Sequence, residues 1–258
     1  MTTNNDQQSP QVRFGGNAQN YVSSVVHGGG YSLDRLIELV EPTAGKRALD
    51  LATGGGHVAL AMAQHGADVV ASDLTMKMLQ ASRTNHQQKG LDMLYCCNDA
   101  QNVPFIDSSF DIVTTRLAPH HFPDVPRYVQ ECTRVLKSGG VYGLVDHAGA
   151  PDVEVGKYVN AYEKLRDPSH RYELSQLEWE DLFRDNGLRV INSELHRERL
   201  NFNWWNRMQN NDADTVMRLR VMLKQAPQAV AEWLEPETPD GAEWYFTRWM
   251  IIIVGVKA

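Results

Sequence analysis

Apolar residues recur along the chain at two spacings, and the spacing alternates. Leu33, Leu36, Ile37 and Val40 share one face of a repeat of about 3.6 residues and predict a helix over 31–40. The run EPTAGK at 41–46 breaks it, and positions 48–51 predict a first strand. Good helix formers fill 58–63. A second strand is expected over 68–72, ending at Asp73. A helix over 75–84 carries Met78 and Leu79, and a third strand covers 93–97. Strand four falls at 110–114. A helix over 125–136 gathers Tyr128, Val129, Cys132 and Leu136 on one side. The glycines of KSGG at 137–140 are expected to stop that helix before strand five at 141–146. Strands and helices alternating at this interval imply a parallel sheet.

The order changes after residue 150. Helices are expected over 153–166 and 176–186, then a strand from 188 to 191 with an extension toward 202. A helical stretch over 204–234 is broken by Pro236, Pro239 and Gly241, and a dense apolar strand, 249–256, ends the chain. A helical insertion between two late strands is not the second half of a dinucleotide-binding fold.

The chemistry concentrates where the first strand meets the segment TGGGH at 53–57. Glycine allows backbone angles and close approaches that a Cβ forbids. Such a turn at the carboxyl edge of a parallel sheet is where open α/β folds bind nucleotides. Asp50, just before the glycines, repels a pyrophosphate and suits a ligand that brings positive charge. Asp73 closes the second strand, at the distance from the turn where an acid grips a ribose. NAD and S-adenosylmethionine both satisfy the glycine pattern alone.

Further motifs align with a family. The chain resembles class I S-adenosylmethionine-dependent methyltransferases, in the branch of the quinone-biosynthesis C-methyltransferases, from about 14 to 191 and more faintly beyond. The segment LDLATGGG at 49–56 is similar to the family's first motif, NDA at 98–100 to its adenine motif, and VPFIDSSFDIV at 103–113 to its P-F-x-D-x-S-F-D-x-V run. ECTRVLKSGG at 131–140 resembles E-x-x-R-V-L-K-x-G-G, and RLAPHHF at 116–122 resembles a segment of one bacterial subgroup. One departure is Ala52, where the family commonly has glycine.

The resemblance implies an α/β, Rossmann-like, seven-stranded mixed sheet of order 3-2-1-4-5-7-6 with the last strand antiparallel. Helices cover both faces, and a helical cap at about 203–240 precedes the last strand. It divides the chain into a disordered lead (1–12), an entry lid and first helix (13–45), a cofactor-binding core (46–150) and the rest of the sheet with its cap (151–258). S-adenosylmethionine would meet backbone around Ala52, Gly54 and Gly56, with Asp50 orienting its ammonium. Asp73 would hold the ribose, and Leu74 and Met78 would sandwich the adenine. Asp99 and Ala100 would read its edge, and Tyr21 and Arg116 would complete the contacts. His120, His121 and His147 are the candidate bases for an acceptor that must lose a proton. Arg166 and His170, in a further subgroup motif, with Trp204 and Trp205, are candidates to line the acceptor pocket.

Composition narrows the partners. The 258 residues are 42% hydrophobic and carry a formal net charge of -7 without a basic run, which disfavours nucleic acid. The longest apolar run, at 249–254, is too short to span a bilayer. The polar N-terminus lacks a signal core. Cys96, Cys97 and Cys132 lack C-x-x-C spacing and suit a reducing cytoplasm. No metal is expected, and a small-molecule methyl acceptor is the expected partner of a monomer or homodimer. An NAD-dependent oxidoreductase is disfavoured because no tyrosine has lysine four places on. A non-methylating protein that binds S-adenosylmethionine on this scaffold stays open.

Overall fold

A computed structural model describes residues 29–239 and 241–258; the expected lead, most of the lid segment and Tyr21 lie outside the described residues. Helix α1 (Tyr31–Val40) buries Leu33, Leu36, Ile37 and Val40, as their spacing requires. Strand β1 (Arg47–Leu51), helix α2 (His57–Gln64), strand β2 (Asp68–Asp73), helix α3 (Met76–Gln88) and strand β3 (Leu94–Cys97) form the first half. Strand β4 (Phe110–Arg116) leads through a short turn of 3-10 helix (Pro119–His121) into helix α4 (Val125–Val135). Strand β5 (Leu136–His147), helix α5 (Val153–Arg166), helix α6 (Gln176–Asp185) and strand β6 (Leu188–Asn201) follow. Helices α7 (Phe202–Arg207), α8 (Ala213–Lys224) and α9 (Gln228–Leu234) precede the last strand, β7 (Tyr245–Lys257).

The strands form one sheet of seven in the order β3-β2-β1-β4-β5-β7-β6. The first five are mutually parallel, and β7 runs antiparallel to both β5 and β6. The sheet is buried on both faces. Tyr142, Leu144, Ile251 and Ile253 point to one side, under α4 and α6. Val145, Met250 and Ile252 alternate to the other, under α1 and α2. A third cluster joins Val159 and Tyr162 of α5 to Phe202, Trp205, Leu219, Leu223, Val230 and Phe246, and forms the cap.

Side-chain caps mark several helix starts. Asp124 accepts from the Arg127 amide, Asp152 from Glu154 and Val155, and Ser175 with Glu178 closes a reciprocal capping box.

Three boundaries differ from the sequence expectation. KSGG does not stop a helix; it lies inside β5, where the ladder with β4 shifts register between Phe110 and Ile112. The backbone there is distorted, with Gly139 at φ +75 and a Cβ on Gly140 falling 2.8 Å from the Lys137 carbonyl, so the glycines serve a bulge. The 204–234 stretch is three helices, broken at Asn210 (φ 54) and at Pro227. Strand β7 begins at Tyr245, before the apolar run, because Thr247 and Arg248 interrupt the hydrophobic pattern.

Phe183 of α6 is fully buried and stacks on Tyr142 with ring centroids 4.9 Å apart. Phe183→Ala should destabilise the protein by about 3–5 kcal/mol, seen as a lower urea midpoint at unchanged slope.

Candidate functional site

The carboxyl ends of β1, β2, β4 and β5 converge on one edge of the sheet. Because β7 is antiparallel, its beginning reaches that same edge, with Met250 opposite His147 and Glu198 of β6 opposite Arg248. The connection between β6 and β7 must therefore arise there, and α7 and its neighbours lie over the edge. Between them is a cavity of about 370 Å³, within the range of small-molecule sites.

One wall is the glycine turn. Asp50 is buried beneath it and accepts from Thr53 Oγ1 at 2.6 Å and from Thr114 Oγ1 of β4 at 2.8 Å. Burial raises Asp50 to about 6, against the pull of those two hydrogen bonds. Ala52 adopts φ 55 in the left-handed region, which explains the glycine preference at this position. Asp73 accepts from the Gly54 amide at 3.0 Å and from the Thr75 amide at 2.8 Å, and burial raises its pKa. The Thr75 side chain bonds to Asp73 as well, and a carboxylate, with about four acceptor positions, retains room for a ligand. A Cβ on Gly54 would lie 3.7 Å from the Met78 terminal methyl, so the bare glycine leaves the floor of the cavity open. Asp99 accepts from the amide and side-chain nitrogen of Gln101.

Gly56 is a different case. It is the N-cap of α2 at φ 80, and it does not line the cavity. Its carbonyl meets His86 Nε2 at 2.9 Å, and a Cβ would fall 2.1 Å from Ser82 Oγ. The residue is glycine because α3 packs directly on the turn.

The opposite wall carries the histidines. His120 is buried; its Nδ1 lies 2.6 Å from Asp146 Oδ1, and its amide donates to Asp146 Oδ2 at 2.9 Å. Its ring stacks on His147 with centroids 4.2 Å apart and lies 4.1 Å from His121. His147 Nδ1 meets Glu173 Oε1 at 3.1 Å, and His121 Nδ1 meets Ser169 Oγ at 3.2 Å. Ser169 donates in turn to Asp167, whose other oxygen accepts from Gln209 of the cap. Burial drives His120 and His121 down to about 3 and His147 well below its ordinary value, and raises Asp146 to about 7.

Most sequence-predicted residues meet here. Asp50, Ala52, Gly54, Asp73, Leu74, Met78, Asp99, Ala100, Arg116, His120, His121, His147, Arg166, Trp204 and Trp205 all line the cavity. His170 does not; it is buried behind the wall, bonded through Nε2 to Asn160 at 2.9 Å. Trp205 is fully buried and serves the cap core as well, stacking on Tyr162 beneath the Arg166 guanidinium. Arg116 is half-buried, reaches Ser32, and loss of solvent lowers it to about 10.

Sequence reasoning missed Asp146, Asp167, Gln209 and Arg248. Asp146 had a signal, as the acid beside His147 at the end of a strand. Arg248 and Gln209 had none, because long connections bring them in. His147, Glu163 and Glu173 offer ligand atoms within 4.8 Å of one another. The positive charge of Arg248 already acts on both carboxylates.

A parallel sheet with a glycine turn over a buried acid and a second acid on the next strand defines a class of α/β proteins that hold a nucleoside-bearing ligand at this edge. The methyltransferase-domain family matches residues 49–144. The chain is 34% identical over 249 residues to the uncharacterized methyltransferase YcgJ of Bacillus subtilis, covering 96% of this chain and 98% of that one. The YcgJ crystal structure superposes with a TM-score of 0.82 at 33% identity, over 88% of this chain and 97% of that one. A methyltransferase candidate from Bacillus halodurans superposes with a TM-score of 0.84 at 31% identity, over 88% and 99%. Demethylmenaquinone methyltransferase of Thermus thermophilus is 34% identical over 130 residues, 50% of this chain and 59% of that protein. The chain belongs to the S-adenosylmethionine-dependent methyltransferase family.

Two outcomes follow from the geometry. Ala52→Gly should relieve the left-handed strain and raise stability by roughly 1 kcal/mol in urea unfolding. His170 is held neutral, its pKa lowered by burial from 6.5 to about 2. The unfolded chain therefore binds a proton that the native state refuses, and stability present above pH 6.5 is lost as pH falls below it. Between pH 7 and 5 the wild type should lose about 1–2 kcal/mol more than His170→Gln, measured by paired urea titrations.

Proposed function

We propose that the protein binds S-adenosylmethionine across the glycine turn and methylates a small molecule held beneath the cap. The observation that carries this is the pairing of two buried acids around one turn. Asp73 has lone pairs for two ribose hydroxyls, and Asp50 sits where the ligand's ammonium would be oriented. Leu74 and Met78 flank the adenine, Asp99 and the Ala100 amide meet its edge, and Ala52 and Gly54 present backbone to the methionine end. Arg116 borders the site at the end of β4, and Tyr21 would close it from the entry lid. Gly56 acts on the turn from behind.

When bound, the cofactor supplies a methyl group on a sulfonium: the acceptor's electron pair forms the new bond as the sulfur–carbon bond breaks toward sulfur. The protein's share is alignment and exclusion of water, and orientation alone can be worth ~7–11 kcal/mol. Trp204 and Trp205 supply apolar wall, and Arg166 a polar contact. With Asp146 ionised, the proton between the two side chains rests on His120 Nδ1 and leaves Nε2 as an acceptor. His121 is held by Ser169 and His147 by Glu173, so each ring has one nitrogen engaged. The likeness to a demethylmenaquinone methyltransferase supports a quinone-like, phenolic or related secondary metabolite, methylated at carbon or oxygen. The three free thiols support a reducing, cytoplasmic compartment. Among the described residues no helix is long and apolar enough to cross a membrane.

Calorimetric titration with S-adenosylmethionine, S-adenosylhomocysteine and NAD tests this. The two adenosyl ligands should bind and NAD should not; binding of NAD alone would sink the proposal. Asp73→Asn should weaken both adenosyl ligands by at least tenfold, as expected for losing charge-assisted hydrogen bonds. Replacing His120 and His121 together should spare that affinity and lower turnover.

A further inference from the structure

The two halves of the cavity differ in charge. The turn side presents Asp50, Asp73 and Asp99. The cap side presents Arg166, Arg171 and Arg248, with Asp167 as its one carboxylate among the described lining residues; Arg116, at the end of β4, is close enough to Asp50 for the two charges to interact. Asp167 lines the cavity with its oxygens engaged by the Ser169 amide and hydroxyl and by Gln209. The remaining acids near these arginines stand behind the lining. Glu198 accepts from Arg248 Nη2 at 2.5 Å, and Glu163 lies 3.7 Å from Arg166. Asp146 and Glu173 are engaged by His120 and His147. None of those four lines the cavity.

Arg248 carries an independent sign. Its Nε is shut from solvent and has no hydrogen-bond partner among the described residues. An unsatisfied donor on a buried guanidinium is costly, and an arriving acceptor atom removes that cost. The charges of Arg248 and Arg166 also help to keep His120 and His147 neutral. A bound sulfonium would add positive charge to the same cavity. The planar guanidinium fork suits carboxylate and phosphate oxygens.

We infer that the methyl acceptor carries an oxyanion group, carboxylate or phosphate, which Arg166 and Arg248 bind at the cap end of the cavity with Arg171 at its rim. The group is distinct from the atom that takes the methyl, which faces the turn. This deepens the proposed function and rests on it. It narrows the acceptor from phenols and quinones in general to those bearing an acid.

The test titrates the full chain, with and without saturating S-adenosylhomocysteine, using 4-hydroxybenzoate, phenyl phosphate and the neutral methyl 4-hydroxybenzoate. At least one oxyanion should bind tenfold or more tighter than the neutral ester. Which one does so distinguishes a carboxylate site from a phosphate site. The preference should fall below threefold in Arg166→Gln and in Arg248→Gln, and should shrink in Arg171→Gln, where an exposed residue makes misfolding no concern. Equal or tighter binding of the ester overturns the inference. So does silence of both oxyanions at millimolar concentration, or a preference that survives in folded Arg166→Gln and Arg171→Gln proteins. Failure of S-adenosylhomocysteine to bind would instead remove the methyltransferase reading, and the oxyanion preference would still be read on the bare protein.

Discussion

The buried carboxylate of Asp50 is the constraint on which the turn side of the cavity depends. It lies inside the sheet at a position paired with Thr114 of β4 and Ala71 of β2. Two hydroxyls hold it, one from the turn and one from the neighbouring strand. The turn is thereby fastened to the sheet through a side chain as well as through the backbone. That attachment holds Ala52 in a conformation that costs an alanine about 1–2 kcal/mol, and it sets the Gly54 amide against Asp73. A buried acid without a cationic partner bonded to it is expensive to ionise, and burial pushes Asp50 up to about 6 despite bonds from two hydroxyls and the Ala59 backbone. A cationic ligand group at the turn would lower that expense, so the same burial that threatens stability favours an ammonium there.

The far wall follows from one reversal of direction. A parallel sixth and seventh strand would start at the edge away from the turn. Antiparallel β7 starts beside it, and this places Arg248 next to His147 and the helices of the inserted segment above both. Cap and histidine wall are thus consequences of topology, and the cap adds its own core around Tyr162, Trp205 and Phe246 to hold the position. That core ties the inserted helices to α5 and to Phe246 of β7 through apolar packing, and polar contacts add to it, Gln209 to Asp167 and Arg166 to the Trp205 carbonyl.

Much of this was legible in the chain because the signals are local. The helix over 31–40, the turn at 53–57 and the acids that end β2 and follow β3 each declare themselves within a few residues. The sheet order came from resemblance and not from periodicity, which cannot distinguish a parallel from an antiparallel closing strand. What stayed hidden is what long connections assemble. Arg248 is a polar interruption just ahead of the apolar run of β7, and only pairing with β6 gives it a place. Gln209 sits on a link that periodicity merged into one helix. His170 and Gly56 show the converse case, motif residues that the structure places outside the cavity lining. Both belong to motifs, yet one is bonded to Asn160 behind the wall and the other yields to the packing of α3.

The histidines raise the question of what drives methyl transfer here. A general base works best with a pKa near the working pH, and His120 lies far below it because burial and two arginines oppose its charge. Asp146 cannot restore basicity cheaply, since burial also pulls that acid toward its neutral form. A wall of this kind is poor at taking a proton from a reluctant acceptor. It is suited to one whose nucleophilic atom is already acidic or electron-rich, with the imidazoles fixed as neutral hydrogen-bonding plates. On that physical ground, the proposed reaction would rest on alignment more than on proton transfer. In that reading the choice of acceptor would fall to the arginines and tryptophans that line the cavity with the histidines.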